Sequence, residues 1–274
     1  MSLATADFDY LRTLVKSHTA IVLDAGKEYL AETRLAPLLG EQNCTSVQEL
    51  LTLLRRQNFN GLHRKVLDAM TNNETWFFRD ANCFAALTGT VLPQMMKLRA
   101  SERRLAIWSA ASSSGQEPYS IAMALCEQFN LPGWTYRIHA TDYSNAILER
   151  ARSGIYRQME VNRGLPAKLL TRYFENHGLQ WQLKPEIRSM VHFQFLNLAE
   201  AWNDSVPPVD IVFLRNVLIY FDVETRKTIL ARVRRVLRSD GYLFLGCAET
   251  TLNLDANFKV VQLGNYVCYQ LKDR

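Results

Sequence analysis

The stretch that most constrains this chain runs from Ile107 to Met123, IWSAASSSGQEPYSIAM. The mostly apolar run 105–111 reads as a strand buried on both faces. It breaks into Ser112, Ser113, Ser114 and Gly115. Glu117-Pro118 then opens a helical pattern carried by Tyr119, Ile121, Ala122, Leu125 and Phe129. Strand, small-residue turn and helix form the opening unit of a nucleotide-binding α/β domain. Small side chains let the backbone approach a ligand, and proline suits a first helical turn. The turn holds a single glycine, so it is not the GxGxxG that meets a dinucleotide pyrophosphate. Serines leave room for a ligand with an adenosine and no phosphate, and S-adenosylmethionine suits that description.

The rest of the chain agrees with an α/β domain that begins after a helical one. Strand candidates are 105–111, 136–141, 191–196, 209–214 and 242–247. Helices fit 117–129, 144–152 and 224–237, an alternation that implies a parallel sheet covered on both faces. Two short terminal strands, 258–261 and 266–271, flank Gly264-Asn265 and predict an antiparallel hairpin at the sheet edge. Residues 165–190 interrupt the rhythm with a short helix and a strand-like stretch, 178–183, read as an insert. Residues 5–70 show only helical spacing. Phe8, Leu11, Leu14 and Val15 form one stripe, and Tyr29, Leu30, Leu35 and Leu38 a second that Pro37 and Gly40 disturb. Ser46 and Glu49 make a capping box for a third helix, and Leu62, Val66, Leu67 and Met70 mark a fourth. The expected division is a helical domain over 1–74, a linker segment over 75–100 and the α/β domain over 101–274.

Composition removes several function classes. Hydrophobic residues make up 48% of the chain, enough for a substantial core, yet no run is long enough to span a bilayer. The first residues lack the basic-then-apolar order of a signal peptide. The five cysteines are scattered, without CxxC and without a histidine at ligand spacing, so neither disulfides nor a metal site is expected. Net charge is +5, and basic residues cluster at Arg55, Arg56, Arg64 and Lys65 and again over 226–238. Such clusters suit an acidic partner, or are solvated helix faces.

Three groups of residues carry chemistry. Asp142 ends the second strand at a distance from the first turn that suits an acid binding ribose hydroxyls, although aspartate there also caps helices. Asn73 to Asp80, NETWFFRD, flanks three aromatics with polar groups. The aromatics staple the domains, whereas Arg79 sets a guanidinium beside apolar surface, a place suited to a carboxylate. Arg215-Asn216 follows the strand 209–214, at the strand end where α/β sheets bind ligands. Tyr220 lies just beyond, and is either near the cleft or a half-buried core tyrosine.

Together with ATDYSNAILERARSGIY, DIVFLRNVLIYFD and DGYLFLGCAET, these segments resemble the chemotaxis receptor methyltransferases, the CheR family, over nearly the whole chain. The resemblance implies a Rossmann-like class I methyltransferase sheet with a terminal antiparallel hairpin, a preceding all-α domain and a small inserted β-subdomain. It implies S-adenosylmethionine as cofactor, with S-adenosylhomocysteine as product. The implied cofactor contacts are Asn73, Thr75, Arg79, Glu117, Asp142, Asn197, Leu198, Arg215 and Asn216, and the implied methyl-transfer residues are Arg79 and Tyr220. Gln116 departs from the acidic residue usual before the Glu-Pro. The implied activity is methyl esterification of glutamates on the cytoplasmic helices of chemoreceptors by a cytoplasmic monomer. No metal, nucleic acid or membrane insertion is expected. The short ENHGLQ loop suggests independence from a receptor C-terminal pentapeptide. A methyltransferase with another acceptor and a module that senses S-adenosylmethionine are the alternatives.

Overall fold

The computed structural model describes residues 3–272. The ends of the expected domains, residues 1–2 and 273–274, lie outside the described residues. The chain forms two compact units. One runs to Asn72 and includes Tyr220–Thr225; the other comprises Asn73–Ile219 and the chain from Arg226 onward.

The first unit holds α1 (Thr5–Thr19), α2 (Glu28–Glu41), α3 (Val47–Arg55) and α4 (Gly61–Met70). Three of them bury most of the stripe that their spacing predicts: Phe8, Leu11 and Val15 on α1, Leu50, Leu51 and Leu54 on α3, Val66, Leu67 and Met70 on α4. Helix α2 departs from its expected stripe, since it buries Ala31 and Leu35 while Tyr29 is 60% exposed. Ser46 caps α3 by accepting from the Glu49 N–H at 3.2 Å, while the Glu49 carboxylate reaches the Thr45 N–H at 2.7 Å, one residue before the partner of a standard box. Asn60 and His63 form the reciprocal box on α4. Arg55, from the basic cluster, pairs with the buried Asp7 at 2.6 Å and lies over the Tyr10 ring, and Lys65 pairs with Glu41. The returning segment joins this unit through an Ile21–Phe221 bridge, the Val22 N–H to the Tyr220 carbonyl at 2.8 Å, and a Lys16–Asp222 ion pair at 3.2 Å.

In the larger unit, α5 (Ala81–Ala86), a π-helical turn (Leu87–Val91) and α6 (Leu92–Leu98) occupy the segment expected as a linker. Their Cys83, Phe84, Leu87, Val91 and Met95 sit in its hydrophobic core. Seven strands follow in one sheet: β1 (Arg104–Ala110), β2 (Thr135–Asp142), β6 (Val191–Phe195), β7 (Val209–Leu214), β8 (Leu237–Leu245), β9 (Phe258–Leu263) and β10 (Tyr266–Leu271). Their order is β6-β2-β1-β7-β8-β10-β9. The first five run parallel, and β10 and β9 close the edge antiparallel. Helices α7 (Gln116–Gln128), α8 (Asn145–Ser153) and α12 (Val223–Val236) fill the expected positions. Strand β8 begins five residues before its expected start, because Leu237 already pairs with Val209 across a bulge.

The insert is a three-stranded antiparallel sheet of β3 (Ile155–Arg157), β4 (Phe174–His177) and β5 (Gln180–Leu183), with α9 (Gln158–Asn162) and α10 (Ala167–Tyr173) between β3 and β4 and α11 (Pro185–Arg188) after β5. It therefore starts about ten residues before the expected 165, since β3 is too short to show a period in sequence. Strand order reverses between β1 and β7, and a crevice opens at such a point beyond the carboxyl ends of the strands.

Candidate cofactor site

At the end of β1 the chain turns through Ala111 and Ser113, both left-handed at φ 53° and 50°, into Gly115 at φ 92°. A Cβ on Gly115 would lie 3.0 Å from the Tyr119 ring and 3.2 Å from Ala151 and Phe193, so α7 starts hard against its neighbours. The Ser113 N–H donates to Asp142 Oδ2 at 2.9 Å, and its hydroxyl donates to the Asn73 carbonyl at 2.8 Å. The Ser112 hydroxyl is buried without a protein partner.

Asp142, 7% exposed, accepts a second backbone bond from Ser144 at 3.0 Å. Helix α8 is capped by Ser144 itself, whose hydroxyl accepts from the Ile147 N–H at 3.3 Å. Burial raises the Asp142 carboxyl above its ordinary range, and the backbone N–H groups of Ser144 and Ser113 oppose that. An ionised carboxylate has about four acceptor sites, so lone pairs remain for a ligand's hydroxyls. Asn197, on the loop after β6, is held to Glu200 and Ala199 at 3.0 Å, and Leu198 beside it is buried.

Glu117, in the first turn of α7, accepts from the Ser109 hydroxyl at 2.8 Å and from Arg215 Nη1 at 2.9 Å. The Arg215 side chain is 1% exposed; its other arm binds the Asp80 carboxylate and donates to the Arg79 carbonyl at 2.9 Å. Burial works against the Arg215 charge. The Glu117 and Asp80 carboxylates beside it offset that, so the guanidinium stays firmly protonated. One buried cation thus ties β7, α7 and the 79–80 backbone together.

Upstream, Phe77 is fully buried and packs edge-on against Tyr156 and Phe174 at 5.0 and 5.7 Å. The Phe78 N–H donates to Ser120 at 2.9 Å. The Trp76 ring takes two guanidiniums, Arg79 at 4.3 Å and Arg163 at 4.0 Å, and Arg163 pairs with Glu74 at 2.8 Å. Arg79 also donates to the Glu74 carbonyl at 3.1 Å. Gly164 is required beside this cluster, because a Cβ there would fall 2.1 Å from the Phe77 oxygen.

Hydrogen bonds join Asn73 to Asp142 through Ser113, and join Arg79 and Glu117 through Arg215, with Asn216 next to Arg215 in the chain and Thr75 two residues after Asn73. Asn197 joins through the Leu196 N–H, which donates to the Asp142 carbonyl at 2.9 Å. Tyr220 falls in the helical unit, where Asn72 donates to its hydroxyl. Among the described residues, five of the ten non-glycine residues with left-handed φ, Phe78, Asp80, Ala111, Ser113 and Asn216, lie in these turns. Such residues cost about 1–3 kcal/mol each and persist where surrounding contacts over-determine them. Three contributors were not among the expected site residues although each lies in a segment singled out in the sequence: Ser109, Asp80 and Glu249, the last of which binds the backbone of the turn after β7. Asp80 and Glu249 have partners distant in the chain, and Ser109 meets Glu117 eight residues on, across the strand-to-helix turn.

A mostly parallel sheet with a reversal point, a small-residue turn with a single glycine and a buried acid at the end of the second strand define a nucleoside-dependent class of enzyme. The orphaned Ser112 hydroxyl, the spare acceptor capacity of Asp142 and the close-packed turn fit an adenosine-bearing cofactor. Residues 73–267 match the CheR methyltransferase SAM binding domain, and 6–71 match the CheR methyltransferase all-alpha domain. The chain is 42% identical to chemotaxis protein methyltransferase 1 of Pseudomonas aeruginosa, across 99% of this chain and 100% of the relative. It is 38% identical to chemotaxis protein methyltransferase 1 of Vibrio cholerae, across 96% of each. It is 34% identical to the chemotaxis protein methyltransferase of Escherichia coli, across 94% and 89%. The chain belongs to the CheR methyltransferase family and uses S-adenosylmethionine. Among the described residues no helix is long and apolar enough to cross a membrane.

Proposed function

We propose that this protein methyl-esterifies glutamate side chains on the cytoplasmic helices of chemoreceptors. The observation that carries the reading is kinship with chemotaxis methyltransferases over both domains and nearly every residue. The sulfonium cofactor supplies the methyl group when bound, and leaves as the neutral thioether once the acceptor carboxylate has become an ester. A glutamate acceptor has a pKa of about 4.3 and is already ionised at neutral pH, so the site needs no strong base. Its task is alignment and exclusion of water, which can supply up to about 7–11 kcal/mol.

In this reading Asp142 accepts from the ribose hydroxyls. Asn73, Thr75, Asn197, Leu198 and Asn216 line the cofactor. Glu117 and Arg215 hold one another and the cradle while they meet the cofactor. Arg79, its fork steadied on Trp76, orients a carboxylate, and Tyr220 is assigned to methyl transfer by its match to the family motif alone. The protein acts as a cytoplasmic monomer. The two-residue turn of the β4–β5 hairpin, Gly178-Leu179, supports recognition of receptors without a C-terminal pentapeptide.

The test is transfer of labelled methyl from S-adenosylmethionine to receptor cytoplasmic fragments. Base-labile label on glutamates is expected. Label on a different acceptor, or on none, replaces this reading with one of the two alternatives.

A further inference from the structure

Beyond β8 lies a carboxylate that none of the chemistry above uses. Glu249 Oε2 accepts from the Asn216 N–H at 2.7 Å and the Gly246 N–H at 2.7 Å. Its Oε1 accepts from Val217 at 2.9 Å, Leu218 at 2.7 Å and Ile219 at 3.4 Å. Four successive backbone donors after β7, and one after the adjacent β8, thus converge on a single side chain. Successive N–H groups of this kind form an anion-binding concavity, and here the protein supplies the anion itself.

The turn needs such a partner. Asn216 is left-handed at φ 59°, a conformation that costs free energy and relaxes unless it is held. Gly246 completes the fit, since a Cβ there would lie 2.6 Å from the Asn216 amide nitrogen and 2.8 Å from Glu249 Oε2. Gly246, Glu249 and Asn216 are therefore close-packed, and the side chain of Asn216 is aimed by the other two. Bonds from backbone N–H groups to a charged oxygen are about twice as strong as neutral ones, so one ionised residue restrains the whole turn.

We propose that Glu249 is a positioning residue. Its carboxylate clamps the 216–219 turn, presents Asn216 to the cofactor, and thereby sets cofactor affinity and turnover without touching either reactant. The proposal rests on the assignment of Asn216 to the cofactor.

Glu249→Gln and Glu249→Asp test it, the first keeping shape without charge and the second keeping charge with shorter reach. Amide hydrogen exchange of the cofactor-free protein reads the clamp. Amides of 216–219 should exchange at least about tenfold faster in Glu249→Gln, with those of β1 and β7 unchanged. Calorimetry with S-adenosylhomocysteine should show affinity weakened by roughly tenfold, the size of one lost charge-assisted bond. Glu249→Asp should fall between wild type and Glu249→Gln in both readouts, a graded rescue that a purely structural role would not produce. If Glu249→Gln does not fold, Glu249→Asp carries both measurements. Unchanged exchange at 216–219 overturns the clamp. Faster exchange with unchanged affinity and turnover overturns its functional role. Asn216→Ala, run in parallel, isolates the underlying assignment: wild-type affinity in that variant removes Asn216 from the cofactor and overturns the proposal with it.

Discussion

Replacing Asp142 by asparagine separates what this residue does for the ligand from what it does for the fold. The carboxylate accepts from Ser113 and Ser144 at 2.9 and 3.0 Å. An amide has one acceptor oxygen, which keeps one of these bonds and turns its NH2 toward the other, at a cost of about 1 kcal/mol. Against that, the amide removes a buried charge whose ionisation the folded protein disfavours. The two effects have opposite sign, so Asp142→Asn should lose less stability at pH 7 than the disturbed hydrogen bond alone would cost. Ligand affinity has no such compensation. Loss of charged acceptors for two ribose hydroxyls should weaken S-adenosylhomocysteine by about 1.5–3 kcal/mol, roughly 10- to 150-fold. Urea unfolding and titration calorimetry measure the two quantities on the same preparation. The pH dependence adds a signature. Burial raises this carboxyl in the folded state, so the folded protein binds its proton more tightly than the unfolded chain. Its favourable contribution is full below the ordinary value of about 3.9 and is lost as pH rises through the folded value. Wild type should therefore gain stability relative to Asp142→Asn as pH falls from neutral toward that range. Wild-type affinity in a folded Asp142→Asn protein would falsify the ribose assignment.

Other perturbations separate binding, chemistry and support. Arg79→Lys should lose turnover at saturating cofactor, because a point charge does not reproduce the planar fork that lies over Trp76; full turnover in single-turnover assays makes Arg79 a structural residue. Arg99 forms a buried pair with Asp210 at 2.6 Å and binds Asp240 at 2.7 Å, at the amino-terminal ends of the strands and away from the crevice. Arg99→Met leaves Asp210, 1% exposed, with only the Ala106 N–H at 2.8 Å and Arg238 at 3.6 Å, and should cost up to about 3–5 kcal/mol in urea unfolding while turnover of the folded fraction is retained; a loss under 1 kcal/mol contradicts the brace. Since Arg55 is committed to Asp7, charge reversal for receptor docking belongs at Arg56 and Arg64. Arg56→Glu/Arg64→Glu should raise the Michaelis constant for receptor at low salt and leave cofactor affinity unchanged, with the difference shrinking as salt rises. A salt-independent, wild-type constant means that this face only meets solvent.

The elements that local chemistry specifies were legible in the chain. Strand β1 and helix α7 could be drawn from one apolar run, four small residues and a Glu-Pro step, because strand burial and helix initiation depend on neighbours within a few residues. Ser46 was readable as a cap for the same reason, although its partner Glu49 reaches to Thr45. Strand β3, at three residues, was not legible, and the insert's start was placed late. Residues 75–100 looked like a connection because their helices are short and one is a π turn, which breaks the 3.6-residue period that sequence reading relies on.

For the site, residue types were readable and their partners were not. Asp142 was marked by its place at a strand end, and Arg79, Arg215 and Asn216 by polar chemistry beside apolar runs. Nothing local indicates that Arg215 meets Glu117, 98 positions away, or that Glu249 gathers the backbone 30 to 33 residues before it. Nor does spacing show that the chain at Tyr220–Thr225 returns to the helical unit. By itself the sequence determined the succession of elements and the kind of ligand the first turn admits, since both follow from short-range sterics and periodicity. Strand order, which sets β1 between β2 and β7 and β8 beside β7, decided which distant side chains meet in low dielectric. Their pairing there, rather than their identity, makes the Arg215 brace and the Glu249 clamp.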